Sequence, residues 1–196
     1  MKQQENNNLS KPLVISCIVL IIAVVLLGFQ SIDDKSKIDL YENLLLLGNE
    51  DTTLLISGDS HYEYASLAYE RQNYNEVVKE CELARKDWLS YTQLLRESKE
   101  EVFDYKEPIF DIYSDMLSSE IKIYTNMYEA CEHFESAARY YDLYYNTDVS
   151  YDDVSFDMGG KAIDLMNDKI EAHDVQIEVY NTLLAKYDKE LKKIIK

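Results

Sequence analysis

Apolar and polar residues alternate in two distinct ways along this chain. Residues 12–29, PLVISCIVLIIAVVLLGF, form one uninterrupted run without a charge. From about residue 33 onward, apolar positions instead recur every three or four residues among acidic, amide and lysine side chains. The first pattern predicts a helix with no polar side. At 1.5 Å per residue it spans roughly 27 Å, close to the hydrocarbon thickness of a bilayer. A backbone in lipid must satisfy its own hydrogen bonds, which requires a helix there. The chain thus divides into a polar tail (1–11), a transmembrane helix (12–30) that contacts membrane lipid through residues 12–29, and a helical domain (31–196).

The run ends in Leu26, Leu27, Gly28, Phe29 and Gln30. That is a poor small-x-small cleavage site, so the helix reads as an uncleaved signal-anchor. Val14-Ile15-Ser16-Cys17 resembles a lipoprotein box, but its apolar stretch follows the cysteine instead of preceding it, which excludes lipidation by that route. Lys2 and Lys11 precede the helix, and Lys35 and Lys37 follow it. The terminal amine tips this balance toward a cytoplasmic N-terminus and an exterior C-terminal domain. The sequon Asn8-Leu9-Ser10 then stays inside and unused.

In the periodic region, Ile38, Tyr41, Leu44, Leu45 and Leu47 predict a helix over 33–47 that stops at Gly48-Asn49. Residues 51–57 read as a short apolar piece and Ser57-Gly58-Asp59 as a turn. Ser60 with Glu63 forms a capping box opening a short helix that ends near Gln72. Asn73 with Glu76 opens the next one, over about 75–105. Its positions Val77, Cys81, Ala84, Trp88, Tyr91, Leu95, Ser98 and Val102 alternate by four and three, a heptad seam. Pro108 suits the first position of a new helix, which continues to about Asn146. That helix carries one stripe through Phe110, Tyr113, Leu117, Ile121, Tyr124, Tyr128 and Cys131. A second runs through Ile109, Ile112, Met116, Ile123, Met127, Phe134 and Tyr141. Two stripes call for at least two neighbours. Residues 147–160 read as a loop. The last helix runs from about Gly160 to the C-terminus, with its seam on Ile163, Met166, Ile170, His173, Ile177, Tyr180, Leu184, Tyr187, Leu191 and Ile194. Short connections make neighbours antiparallel. The expected fold is all-α: a transmembrane helix, then an elongated antiparallel bundle of three long, coiled-coil-like helices with the shorter 33–72 region packed on it.

Composition supports the helices, with five Gly and two Pro in 196 residues. The net charge is −17, and tail and anchor are slightly positive, leaving about −18 on the domain. Such a domain repels phosphates, which argues against nucleic acid. The expected partners are the lipid around residues 12–29 and another protein or a second copy of the chain. The anchor has no small-xxx-small pair to drive self-association.

Candidate chemistry is sparse. If 75–105 and 108–146 form a hairpin turning near residue 106, Cys81 and Cys131 lie level on facing seams. The same register pairs Trp88 with Tyr124 and Leu95 with Leu117. The two cysteines then have two readings: a disulfide, if the domain faces an oxidising exterior, or two small buried thiols. His173 reads as a core residue, and His133 and His61 as exposed. Neither His133 nor His173 has a Glu three residues before it, which excludes a di-iron helix pair, and no Cys/His cluster has zinc spacing. Asn146, Asp148, Ser150, Asp152 and Asp157 loosely resemble a calcium loop, but Tyr151 replaces the glycine and Asp157 the final glutamate. Glu120 falls between the stripes of its helix, where a carboxylate needs a partner. Of the seventeen tyrosines, Tyr140, Tyr141, Tyr144 and Tyr145 have two readings, interhelical packing or a partner-binding surface. The sequence carries no motif that points to a catalytic, cofactor-binding or metal-binding residue, so no enzyme activity and no cofactor is expected.

One stretch resembles a known family. From His61 to Leu94 the chain is similar to a single tetratricopeptide motif, with Ala65, Asn73-Tyr74, Val77, Cys81 and Ala84 at its packing positions. The resemblance covers about a sixth of the chain, lacks the closing Pro and has no second copy. It implies a helical hairpin and, in the family, peptide binding on a concave face. The leading expectation is a membrane-anchored scaffolding or interaction protein. A peptide- or ligand-binding module and an exterior sensor domain are the alternatives.

Overall fold

The computed structural model describes residues 35–102, 108–146 and 153–194, with side chains from 53 to 102, 108 to 146 and 153 to 193. The tail and the 12–29 run lie outside the described residues. Among the described residues no helix is long and apolar enough to cross a membrane. Four helices account for all of them except the turn at 71–73: α1 (Lys35–Glu70), α2 (Tyr74–Val102), α3 (Pro108–Asn146) and α4 (Asp153–Ile194). Each helix packs chiefly on its neighbours in sequence. Successive helices run antiparallel, as the α3–α4 pairings Tyr141–Phe156 and Tyr113–Tyr187 require.

The all-α bundle matches the sequence reading, but the 33–72 region does not. Instead of two short helices and a turn, α1 is one helix of 36 residues. Gly58 is its key position. A Cβ there would lie 2.6 Å from Trp88 Nε1, so the glycine lets α1 approach the indole of α2 instead of making a turn. Ser60, expected as a cap, sits inside the helix and donates its hydroxyl to the Ile56 carbonyl at 2.7 Å. Helix α4 likewise starts at Asp153, well before Gly160. Gly159 lies inside it because the ring of Tyr141 occupies the space a Cβ would need, at 2.9 Å.

Other boundaries follow the sequence signals. Pro108 opens α3 and Asn146 closes it. Helix α1 ends in a Schellman motif: the Asn73 amide donates to the Ala68 carbonyl and the Gln72 amide to the Tyr69 carbonyl, both at 2.9 Å. Gln72 takes the left-handed conformation that closes it, with φ 58°. Asn73 then caps α2, its carbonyl accepting from the amides of Glu76 and Val77.

The core is continuous along α2 and α3. Every residue of the α2 seam, Val77 through Val102, is buried, the polar Ser98 included. Ala65 and Ala68 of α1 pack with Val77, Cys81, Ala84 and Trp88 of α2 and with Cys131, Phe134 and Ala138 of α3. Small residues at these points let three helices meet around the indole. Toward the opposite end, Leu95, Val102, Phe110, Leu117 and Leu191 form a second cluster. Each large side chain fully buried there contributes about 1.5–3 kcal/mol. Helix α3 touches all three others, through Phe134 to Tyr62 and Tyr69 of α1 and through Glu129 to Lys169 of α4.

Candidate functional site

The two stripes of α3 leave Glu120 between neighbours, and the structure supplies a partner that the sequence could not name. The Tyr91 hydroxyl of α2 donates to Glu120 Oε1 at 2.5 Å. The Tyr91 ring meets Tyr124 edge-on at 5.0 Å. Around this pair every helix contributes a polar side chain: Asp59 from α1, Tyr91 from α2, Glu120 and Tyr124 from α3, and Tyr180 from α4. The Tyr124 phenol is held well above its ordinary range, first by burial and then by the nearby Asp59 and Glu120 carboxylates. Tyr180 is raised in the same way, by burial and then by Glu120. Protonated phenols beside carboxylates act as hydrogen-bond donors, as Tyr91 does to Glu120 across α2 and α3, and the centre gathers polar side chains from all four helices.

Two further polar contacts cross the α1–α2 and α2–α3 interfaces. His61 Nδ1 lies 2.6 Å from Glu80 Oε2. His61 was expected to be exposed at a helix start; because α1 is continuous, it faces α2 and is half-buried. Burial alone would raise the Glu80 carboxyl, but hydrogen bonds from His61 and Lys79 outweigh it and hold its pKa below the usual value. Arg85 reaches Glu135 at 2.9 Å and the Tyr128 hydroxyl at 3.0 Å. Its guanidinium carbon lies 4.7 Å from the centre of the Tyr128 ring, within cation–π range.

The cysteines sit in the register the seams imply. Cys81 and Cys131 are fully buried in one cluster, as free thiols. Hydrogen bonding to Cys131 raises the Cys81 thiol, and burial raises it further. Tyr62 of α1 stands beside both, its phenol pushed up to about 12 by burial and then by the neighbouring thiols. The same register puts Leu95 and Leu117 in one cluster.

The tyrosines at the end of α3 serve mainly as internal packing. Tyr141 meets Tyr69 of α1 at 6.1 Å and Phe156 of α4 at 5.6 Å. Tyr145 stacks on Tyr74 of α2 at 6.1 Å, and Tyr144 packs on Phe156 at 5.1 Å. Tyr140 is half-buried. Only Tyr145, at 52%, is strongly exposed. Asp148, Ser150 and Asp152 of the calcium-like stretch lie outside the described residues, and Asp157 belongs to α4. Among the described residues no group of three or more His, Cys, Asp or Glu is placed to hold a metal ion. His173 lies on the α4 seam, largely buried, with Nδ1 2.9 Å from its neighbour Asp174.

Helix α4 carries an apolar stripe that faces solvent. Its seam packs on α3, but the opposite side carries Leu165, Val175 and Val179, exposed to 47%, 54% and 42%. Ala172 lies between them, half-buried. The seam of α4 leaves this stripe out. Its signal was present: Leu165, Ala172 and Val179 repeat every seven residues on the helix side away from Ile163, Ile170 and Ile177.

Comparison with known proteins finds no matching family model, no similar curated protein and no similar solved structure.

Proposed function

We propose that this chain is a single-pass membrane protein whose helical bundle lies outside the membrane and binds another protein as a scaffolding or interaction module. The observation that carries the reading is the outer side of α4, where valine and leucine side chains face water on a helix whose other side is already packed. Apolar positions arranged as a stripe mark interaction surfaces more often than scattered ones do. The 12–29 run supports the anchor, and the lysine and terminal-amine balance supports a cytoplasmic tail with an exterior bundle. The internal polar groups described above bond chiefly to one another, which suits a bundle that serves as a rigid interaction module.

A peptide-binding role of the tetratricopeptide kind is the second reading. Its support is local: Ala65, Val77, Cys81 and Ala84, which carry the resemblance, pack together across α1 and α2. One such hairpin builds no concave face.

Proximity labelling from the bundle of the full chain in its native cell tests the interaction role. A set of labelled neighbours that disappears with Val175→Arg and Val179→Arg is expected. An identical set for the native chain and that variant would refute the role assigned to α4.

A further inference from the structure

We infer that the partner of the α4 outer side is α4 of a second copy of this chain, packed antiparallel about a two-fold axis between Val175 and Val179. This rests on the interaction role proposed above and names its partner.

Charge is the argument. Along the exposed side of α4 the sign reverses from one half to the other. Asp157, Asp164, Asp168 and Glu171 are exposed in the first half, whereas Lys186, Lys189, Lys192 and Lys193 are exposed in the second. The apolar stripe lies between them. A helix acidic at one end, basic at the other and apolar in the middle is complementary to itself only when the second copy runs the opposite way. Two-fold symmetry makes this a closed, isologous contact.

The register follows from the axis. Val175 meets the partner's Val179, and Ala172 lies level with the partner's Thr182. Asp168 lies level with the partner's Lys186, and Leu165 with the stem of the partner's Lys189. Symmetry makes each contact twice. From Leu165 to Lys186 the stripe runs roughly 30 Å, enough for about six turns of contact at 1.5 Å per residue. A parallel pair would instead set acid against acid and lysine against lysine along this length. The antiparallel pair does oppose some like charges: Glu178 lies beside the axis near its own copy, Lys161 lies level with the partner's Lys193, and Asp164 with the partner's Glu190. Glu178, Lys161, Lys193 and Asp164 are exposed, where water and salt screen them, and Glu190 is half-buried and paired with Lys193 of its own helix at 2.5 Å. Leu191 of α4 shares a cluster with Leu55 of α1. The basic end of α4 therefore lies toward the amino-terminal part of α1, and the two α1 helices of the pair enter from opposite ends.

The test is a charge swap in the full chain, purified in detergent and followed by sedimentation equilibrium. Asp168→Lys and Lys186→Asp should each weaken the dimer about tenfold by placing like charges level with each other. The double variant should recover native affinity, because it restores the opposite pair with the signs exchanged. Val175→Arg should leave a monomer with unchanged helix content by circular dichroism, since the side chain is outside the core. A monomer at every concentration would overturn the proposal, as would a dimer indifferent to either single substitution or a double variant no better than the singles. Such a result leaves the membrane-anchored interaction role standing, because proximity labelling tests that separately.

Discussion

The Tyr91 hydroxyl donates to the Glu120 carboxylate at 2.5 Å across the α2–α3 interface, and this contact lies at the centre where all four helices contribute polar side chains. A hydrogen bond to a charged group contributes about 1.5–3 kcal/mol. Tyr91→Phe should lower the unfolding free energy of the full chain by that amount while leaving the helix content intact. Chemical denaturation followed by circular dichroism measures it. A change below about 0.5 kcal/mol would mean that the hydroxyl is dispensable.

Two glycines inside helices should respond to alanine with opposite signs. Glycine in a helix interior costs about 1 kcal/mol relative to alanine. At Gly160 nothing lies within 4 Å of the new Cβ, so Gly160→Ala should stabilise by up to about that amount. At Gly58 the Cβ would fall 2.6 Å from the indole of Trp88, which is fully buried and cannot withdraw. Overpacking costs about 1–3 kcal/mol and outweighs the gain in propensity. Gly58→Ala should therefore destabilise, and Trp88→Phe in the same chain should relieve part of the clash. Melting temperatures of the two single variants on the same side of the native value would contradict the packing described.

Much of the bundle was legible because periodicity records which side of a helix is buried. The α2 seam and the α2–α3 register follow from a heptad that never slips, and the start of α3 from a proline that fits only one part of a helix. Helix α1 reads as separate pieces in the sequence because Gly58 and Ser60 look the same whether they end a helix or sit within it. What decides is Trp88, thirty positions along and on another helix. His61 was misplaced for the same reason. Partners of Glu120 were illegible because periodicity gives the face of a residue but not the atom opposite. At the outer side of α4 the pattern was legible and only its meaning depended on the structure, which shows α3 already holding the other side.

Buried tyrosines set the alkaline limit. Tyr62 is pushed up to about 12, chiefly by burial, and so is Tyr69. Tyr124 and Tyr180 are also raised. A phenol whose folded pKa exceeds its unfolded value, about 10, adds stability that is complete below that pH and is lost as pH rises through the folded value. For Tyr62 the loss amounts to about 2–3 kcal/mol; Tyr69 sits nearer solvent, where screening reduces its share. Tyrosinate absorbance and helix content should therefore change together between about pH 10 and 12. Glu80 sets the acid limit with the opposite sign. Its carboxyl is held below its ordinary value, so its contribution is present above about pH 4.3 and is lost as pH falls through the folded value. Glu80→Gln should flatten that acid limb. Tyrosines that all titrate at about pH 10 with the helices intact would contradict their burial.

The thiols of Cys81 and Cys131 are free and fully buried. Thiol titration of the full chain, denatured without reductant, should find all three cysteines of the sequence reactive. In the native state neither domain thiol should react with a bulky reagent, because both are shielded. A denatured chain with a single reactive thiol would mean that the pair is oxidised, the other reading of their level placement.

Protease protection on intact cells tests the central claim, a bundle held outside the membrane by the 12–29 helix, most directly. After alkaline washing the full chain should remain in the membrane pellet. Protease added from outside should digest the bundle and leave a short fragment that begins at the native N-terminus. A chain released by the wash, or a bundle shielded until the membrane is opened, would contradict it.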